Sequence, residues 1–128
     1  MFEAVTLLGL FDKTLGVLGL IREGRRRRNE QIDRALFALY TALCETRAYV
    51  RDLENGERRS RRKELAIARL WHAASVPLRY IDRDLADRCF LKGSYWLDSE
   101  AWTQERINSS GIALDTMLEK TRDILIKM

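Results

Sequence analysis

The chain has 128 residues, of which 33% are charged, 46% are hydrophobic, one is proline and seven are glycine, and it carries a formal net charge of +4. That length fits one domain with a core of its own, needing neither metal nor disulfide staples. The composition excludes a collagenous, low-complexity or disulfide-framework protein, and no stretch alternates apolar and polar residues as a half-buried strand would.

The first predicted element covers residues 2–23. Ala4, Leu7, Leu8, Phe11, Leu15 and Leu18 share one helical face, with Asp12 and Lys13 in the middle of the stretch. A spanning helix needs about 20 predominantly apolar residues, so the segment reads as amphipathic rather than transmembrane. Its back carries Phe2, Val5, Gly9, Gly16, Val17 and Leu20, a candidate interface or membrane face. Gly24 ends the element, and Arg25, Arg26, Arg27 and Arg28 follow.

The second element, residues 29–54, repeats Ile32, Leu36, Leu39, Leu43, Thr46 and Val50 at helical spacing. Phe37, Tyr40 and Cys44 widen the stripe, so the helix faces a core through residues such as Leu39. Asn55-Gly56 suits a left-handed helix end. The third element, residues 60–92, runs Ile67, Trp71, Ala74, Leu78, Ile81, Leu85 and Cys89 in one phase through Pro77, which predicts a single kinked helix ending at Gly93. The fourth, residues 99–126, carries Ile107, Gly111, Leu114, Leu118, Thr121 and Leu125, with Gly111 on the inner seam. Asp98 is its expected N-cap, which makes Leu97 and Trp102 a hydrophobic staple. The whole predicts an all-α, antiparallel up-down-up-down four-helix bundle with a Pro-kinked third helix, forming one domain over residues 1–128.

No residue pattern points to catalysis. His72 is the only histidine and is followed by two alanines; Asp84 with Arg88 and Arg83 with Asp87 are i,i+4 neighbours, the pattern of a solvated face. There is no Glu-x-x-His motif, phosphate loop or nucleophile elbow, so no enzyme activity, catalytic residue, metal, cofactor or small-molecule substrate is expected. Cys44 and Cys89 lack metal-ligand spacing and read as reduced, core-lining residues of a cytoplasmic protein. For the same reason the Asn108-Ser109-Ser110 sequon is discounted.

The positive charge is concentrated instead. Residues 22–28 and 57–64 together hold ten basic and three acidic residues, whereas the rest of the chain holds 13 basic and 16 acidic ones. Arg25, Arg26, Arg27 and Arg28 follow a helix C-terminus, where cations complement the macrodipole. Arg58, Arg59, Arg61, Arg62 and Lys63 sit at a helix start, where the dipole repels them, unless they bridge acids such as Glu54 or Glu64. Arginine outnumbers lysine 18 to 5, which suits bidentate recognition of carboxylate or phosphate. Tyr95 and Trp96, in the loop before the fourth element, either plug the end of the bundle or form an aromatic contact surface.

Three functions fit. The first is a non-enzymatic interaction or self-assembly module, expected to be homo-oligomeric, whose Arg-rich turns contact an acidic partner protein. The second is a nucleic-acid binder acting on the phosphate backbone, with Tyr95 and Trp96 stacking on bases. The third is a membrane-active bundle that lays the amphipathic helix 2–21 on an anionic surface.

Overall fold

The computed structural model describes residues 26–127. Among these the regular structure is all helical, with no strand: α1 spans Arg26–Glu54, α2 Arg61–Leu78, α3 Arg83–Leu97, α4 Gln104–Ser110 and α5 Leu114–Lys127, with a 3-10 turn at Ser99–Ala101. The predicted helix at residues 2–23 lies outside the described residues, as do Phe2, Val5, Gly9, Gly16, Val17 and Leu20 on its back. No described helix is long and apolar enough to cross a membrane.

The core follows the apolar stripes. Leu36, Leu39 and Leu43 of α1, Ile67, Trp71, Ala74 and Leu78 of α2, Leu85 and Cys89 of α3 and Met117 of α5 are all buried in one cluster. α2 packs against both α1 and α3, and α3 touches α5. Two polar groups are carried into this core with their partners. The Trp71 indole donates to Thr46 Oγ1 at 2.8 Å, and that hydroxyl donates to the Ala42 carbonyl at 2.7 Å, so neither side chain is left unsatisfied.

α1 already includes Arg26, three residues before the predicted start, and ends at Glu54 as expected, with Gly56 supplying the positive φ of 92°. Two predicted members of its stripe point outward: Phe37 is 71% exposed and Cys44 is exposed, whereas Cys89 is buried. Each follows a buried residue, Leu36 or Leu43, and a step of about 100° per residue carries it off the core face.

The single kinked third helix is corrected to two helices. Pro77 lies in the last turn of α2, and the amides that follow tighten that turn with bonds three residues back, Tyr80 to Pro77 at 3.3 Å and Ile81 to Leu78 at 2.9 Å. The chain then turns extended at Asp82, whose carboxylate accepts from the Leu85 amide at 2.9 Å and caps α3. The apolar phase survives because the break consumes about one helical turn.

Gly93 does not end a helix. It is buried inside α3, close against the His72 ring of α2, and α3 continues to Leu97. The predicted fourth helix is likewise interrupted. Asp98 makes no side-chain capping bond, and Thr103 caps α4 by accepting from the Arg106 amide at 3.1 Å. Gly111, with φ 69°, ends α4 rather than lying on a seam. Leu97 is exposed, and Trp102 stacks under the Arg106 guanidinium at 3.7 Å instead of forming the staple.

Candidate functional site

The turn between α1 and α2 divides its cations into two kinds. Ser60, extended at φ −123°, caps α2 by accepting from the Lys63 amide at 3.2 Å. This cap holds the preceding turn beside α1, and Arg59 is drawn inward there. Its Nε and Nη2 donate to Glu64 Oε2 and Oε1, each at 3.0 Å, and Nη2 also reaches Ser99 Oγ at 3.0 Å. Glu64 is only 2% exposed. The Tyr49 hydroxyl donates to Glu64 Oε2 at 2.5 Å and accepts from the Ser60 amide at 2.9 Å, so α1 and the α1–α2 turn each bring a donor to one carboxylate of α2. The bidentate Arg59 guanidinium holds the Glu64 carboxyl below the usual carboxylate range, against the opposing effect of burial; burial, helped by the hydrogen bond to Glu64, pushes the Tyr49 phenol up.

Arg58, Arg61, Arg62 and Lys63 form the second kind. All four are exposed. Lys63 lies 3.8 Å from Asp52, and the three arginines make no ion pair among the described residues. The cluster is therefore split: Arg59 bridges Glu64, one of the two acids named as an internal alternative, while its neighbours extend into solvent at the start of α2. In the other basic run, Arg26, Arg27 and Arg28 lie within α1, and Arg25 lies outside the described residues.

Tyr95 and Trp96 lie in the last turn of α3 rather than in a loop, and Trp96 takes the plugging role of the two alternatives. Trp96 is 7% exposed, packed edge-on against Tyr49 at 5.7 Å and Tyr95 at 5.2 Å, and Tyr95 is half-buried with Trp102 6.1 Å away. Trp96 belongs to the core because α3 extends past Gly93, which places it four residues beyond Lys92 on an inward face. The predicted i,i+4 pair Asp84–Arg88 forms at 3.1 Å and is joined by Lys120 at 3.2 Å.

Three features were missed in the sequence. Glu64 stands three residues before Ile67 on the inward stripe of α2, and Lys92 three residues after Cys89 on that of α3; a charged residue in an apolar phase was the available signal. The third is a groove of about 560 Å³ among the start of α1, the end of α2 and the end of α5, lined by Ile32, Val76, Pro77, Tyr80, Ile81 and Ile124. Tyr80 is 81% exposed there.

Among the described residues no group of three or more His, Cys, Asp or Glu side chains could hold a metal ion. Comparison of the chain with protein-family models, with curated proteins and with solved structures finds no match.

Proposed function

We propose that the protein is a non-enzymatic interaction module in which Arg58, Arg61, Arg62 and Lys63 contact an acidic segment of a partner protein. The observation that carries this reading is the split of the basic turn. One arginine meets the internal requirement of Glu64, and Arg58, Arg61 and Arg62 make no ion pair among the described residues at a helix start, where the macrodipole also disfavours them. Cations held against the local field are explained by an external anion, and a fixed α2 start presents them together. An acidic protein segment is favoured over nucleic acid because burial of Trp96 removes one of the two aromatics available for base stacking.

The same reading takes α1 and α2 as antiparallel neighbours, the second and third legs of an up-and-down bundle. Two contacts support it: Tyr49 meets Glu64, and Thr46, earlier in α1, meets Trp71, later in α2. The exposed groove beside Tyr80 lies near the opposite end of α1 from the basic turn, and it supports self-association through a separate surface.

The test compares the native chain with the Arg61→Gln/Arg62→Gln variant by titrating poly-glutamate and a single-stranded oligonucleotide at several salt concentrations. Poly-glutamate should bind the native chain, and the variant should lose affinity with a flatter salt dependence. Equal affinity and equal salt slope for the two proteins would remove the turn as a site. Tighter binding of the oligonucleotide would transfer it to nucleic acid. Light scattering on the same samples measures self-association.

A further inference from the structure

α1, α3, α4, the α4–α5 connection and the start of α5 line a half-open pocket of about 220 Å³. Its walls are mostly apolar, with Val50, Ile107, Ile112 and Leu114 around it. Lys92 and Trp96 also line it, both from α3 and four residues apart, so they share a helical face.

Lys92 is 7% exposed. Its Nζ donates to the Ile112 carbonyl at 2.7 Å and lies 5.6 Å from the centre of the Tyr95 ring. No carboxylate among the described residues pairs with it, and burial lowers its pKa to about 8. An ammonium has three N–H donors, and one carbonyl occupies only one of them.

A buried cation without an acid is costly. Lys92 borders this space with donors to spare. A carboxylate in the pocket would accept from Nζ, while the Trp96 ring and the other apolar walls cover the remainder of the ligand. One cation balances one negative charge, which disfavours a phosphate.

We infer that this pocket is a binding site for a small monocarboxylate with an apolar body, held by Lys92 beside the Trp96 ring. The site is separate from the exposed arginines of the α1–α2 turn and does not depend on their role.

The experiment follows the Trp96 indole N–H cross-peak, assigned by its loss in Trp96→Phe, during titration with benzoate, hexanoate, benzamide and inorganic phosphate. Benzoate or hexanoate should move the peak saturably in the millimolar range or below, and benzamide should move it far less. Calorimetry on Lys92→Met should show affinity for the carboxylate reduced about tenfold or more. The assignment is overturned if neither carboxylate moves the peak, if benzamide acts as strongly as benzoate, or if Lys92→Met binds as the native chain does. A response to phosphate as strong as that to benzoate also overturns it, by showing a bare anion site. Should Lys92→Met fail to fold, the comparison of benzoate with benzamide on the native chain decides alone.

Discussion

The His72 imidazole occupies the space beside Gly93 that a side chain there would need: a Cβ built on Gly93 would lie 2.3 Å from His72 Cδ2 and 2.6 Å from Nε2. This close approach joins α2 to α3, and the ring rests on Phe90 with centroids 4.9 Å apart. Gly93→Ala should therefore lower stability by about 1 to 3 kcal/mol, the usual range for overpacking, even though alanine favours a helix more than glycine does. In a His72→Ala background the same change should be neutral or stabilising. A thermal-melt double-mutant cycle measures the coupling, and additive effects would mean the contact is not the cause.

Arg59 and Arg61 differ in what their removal should do. Arg59→Gln leaves the buried Glu64 carboxylate with Tyr49 as its remaining side-chain donor, and should cost about 2 kcal/mol. That lies below the roughly 3 to 5 kcal/mol of fully buried pairs, because Arg59 is itself more than half exposed. Arg61→Gln with Arg62→Gln removes cations from a helix start, and should leave stability unchanged or raise it by up to about 1 kcal/mol. Urea titrations of the two variants should thus move in opposite directions or differ clearly in size.

The acid limb of stability should trace to Glu64. Its carboxyl titrates lower in the folded chain than the ordinary value of about 4.3, so its contribution is present above that value and is lost as pH falls through the folded pKa. Glu64→Gln should be less stable near neutrality and show a flatter decline with acid. A variant as steep as the native chain would assign the acid limb to other carboxylates.

Lys92 should act at the alkaline side. With its pKa lowered to about 8 from an ordinary value near 10.5, the unfolded chain binds more protons than the folded one between these two values. Stability contributed by this group therefore rises across that window, by about 3 kcal/mol at most. Lys92→Met should be more stable than the native chain at pH 7 and should lose the rise. Denaturant midpoints at pH 7 and in the alkaline window measure both.

What could be read in the sequence was the helical content and the main core stripes, because a helical period survives local irregularity. Leu39, Trp71, Leu78 and Leu85 are buried as their spacing predicts. The breaks were harder to see. Pro77 and Gly93 have opposite roles from those assigned: the proline stands at a helix end and the glycine inside a helix. Phase continuity cannot distinguish a kink from a turn that uses up one helical repeat, and a glycine serves close packing as readily as a positive φ. Of the candidate site, the exposed arginines were visible as a charge run, but the capture of Arg59 by Glu64 was named only as an alternative, and the inward turn of Trp96 depended on where α3 ends. The charged residues on apolar stripes, Glu64 and Lys92, carried the missed signal.

The burial of Cys89, where the surrounding core pushes the thiol up to about 12, gives the molecule an internal clock. A thiol that is fully enclosed and protonated reacts only when the chain opens around it. Cys44, exposed on α1, is accessible without any such opening. The two cysteines of one chain thus report different events: alkylation at Cys44 follows reagent chemistry, and alkylation at Cys89 follows the parting of α3 from the rest of the core. Any ligand or partner that binds only the closed form will slow the second rate and leave the first unchanged, so occupancy can be timed without knowing where the ligand sits.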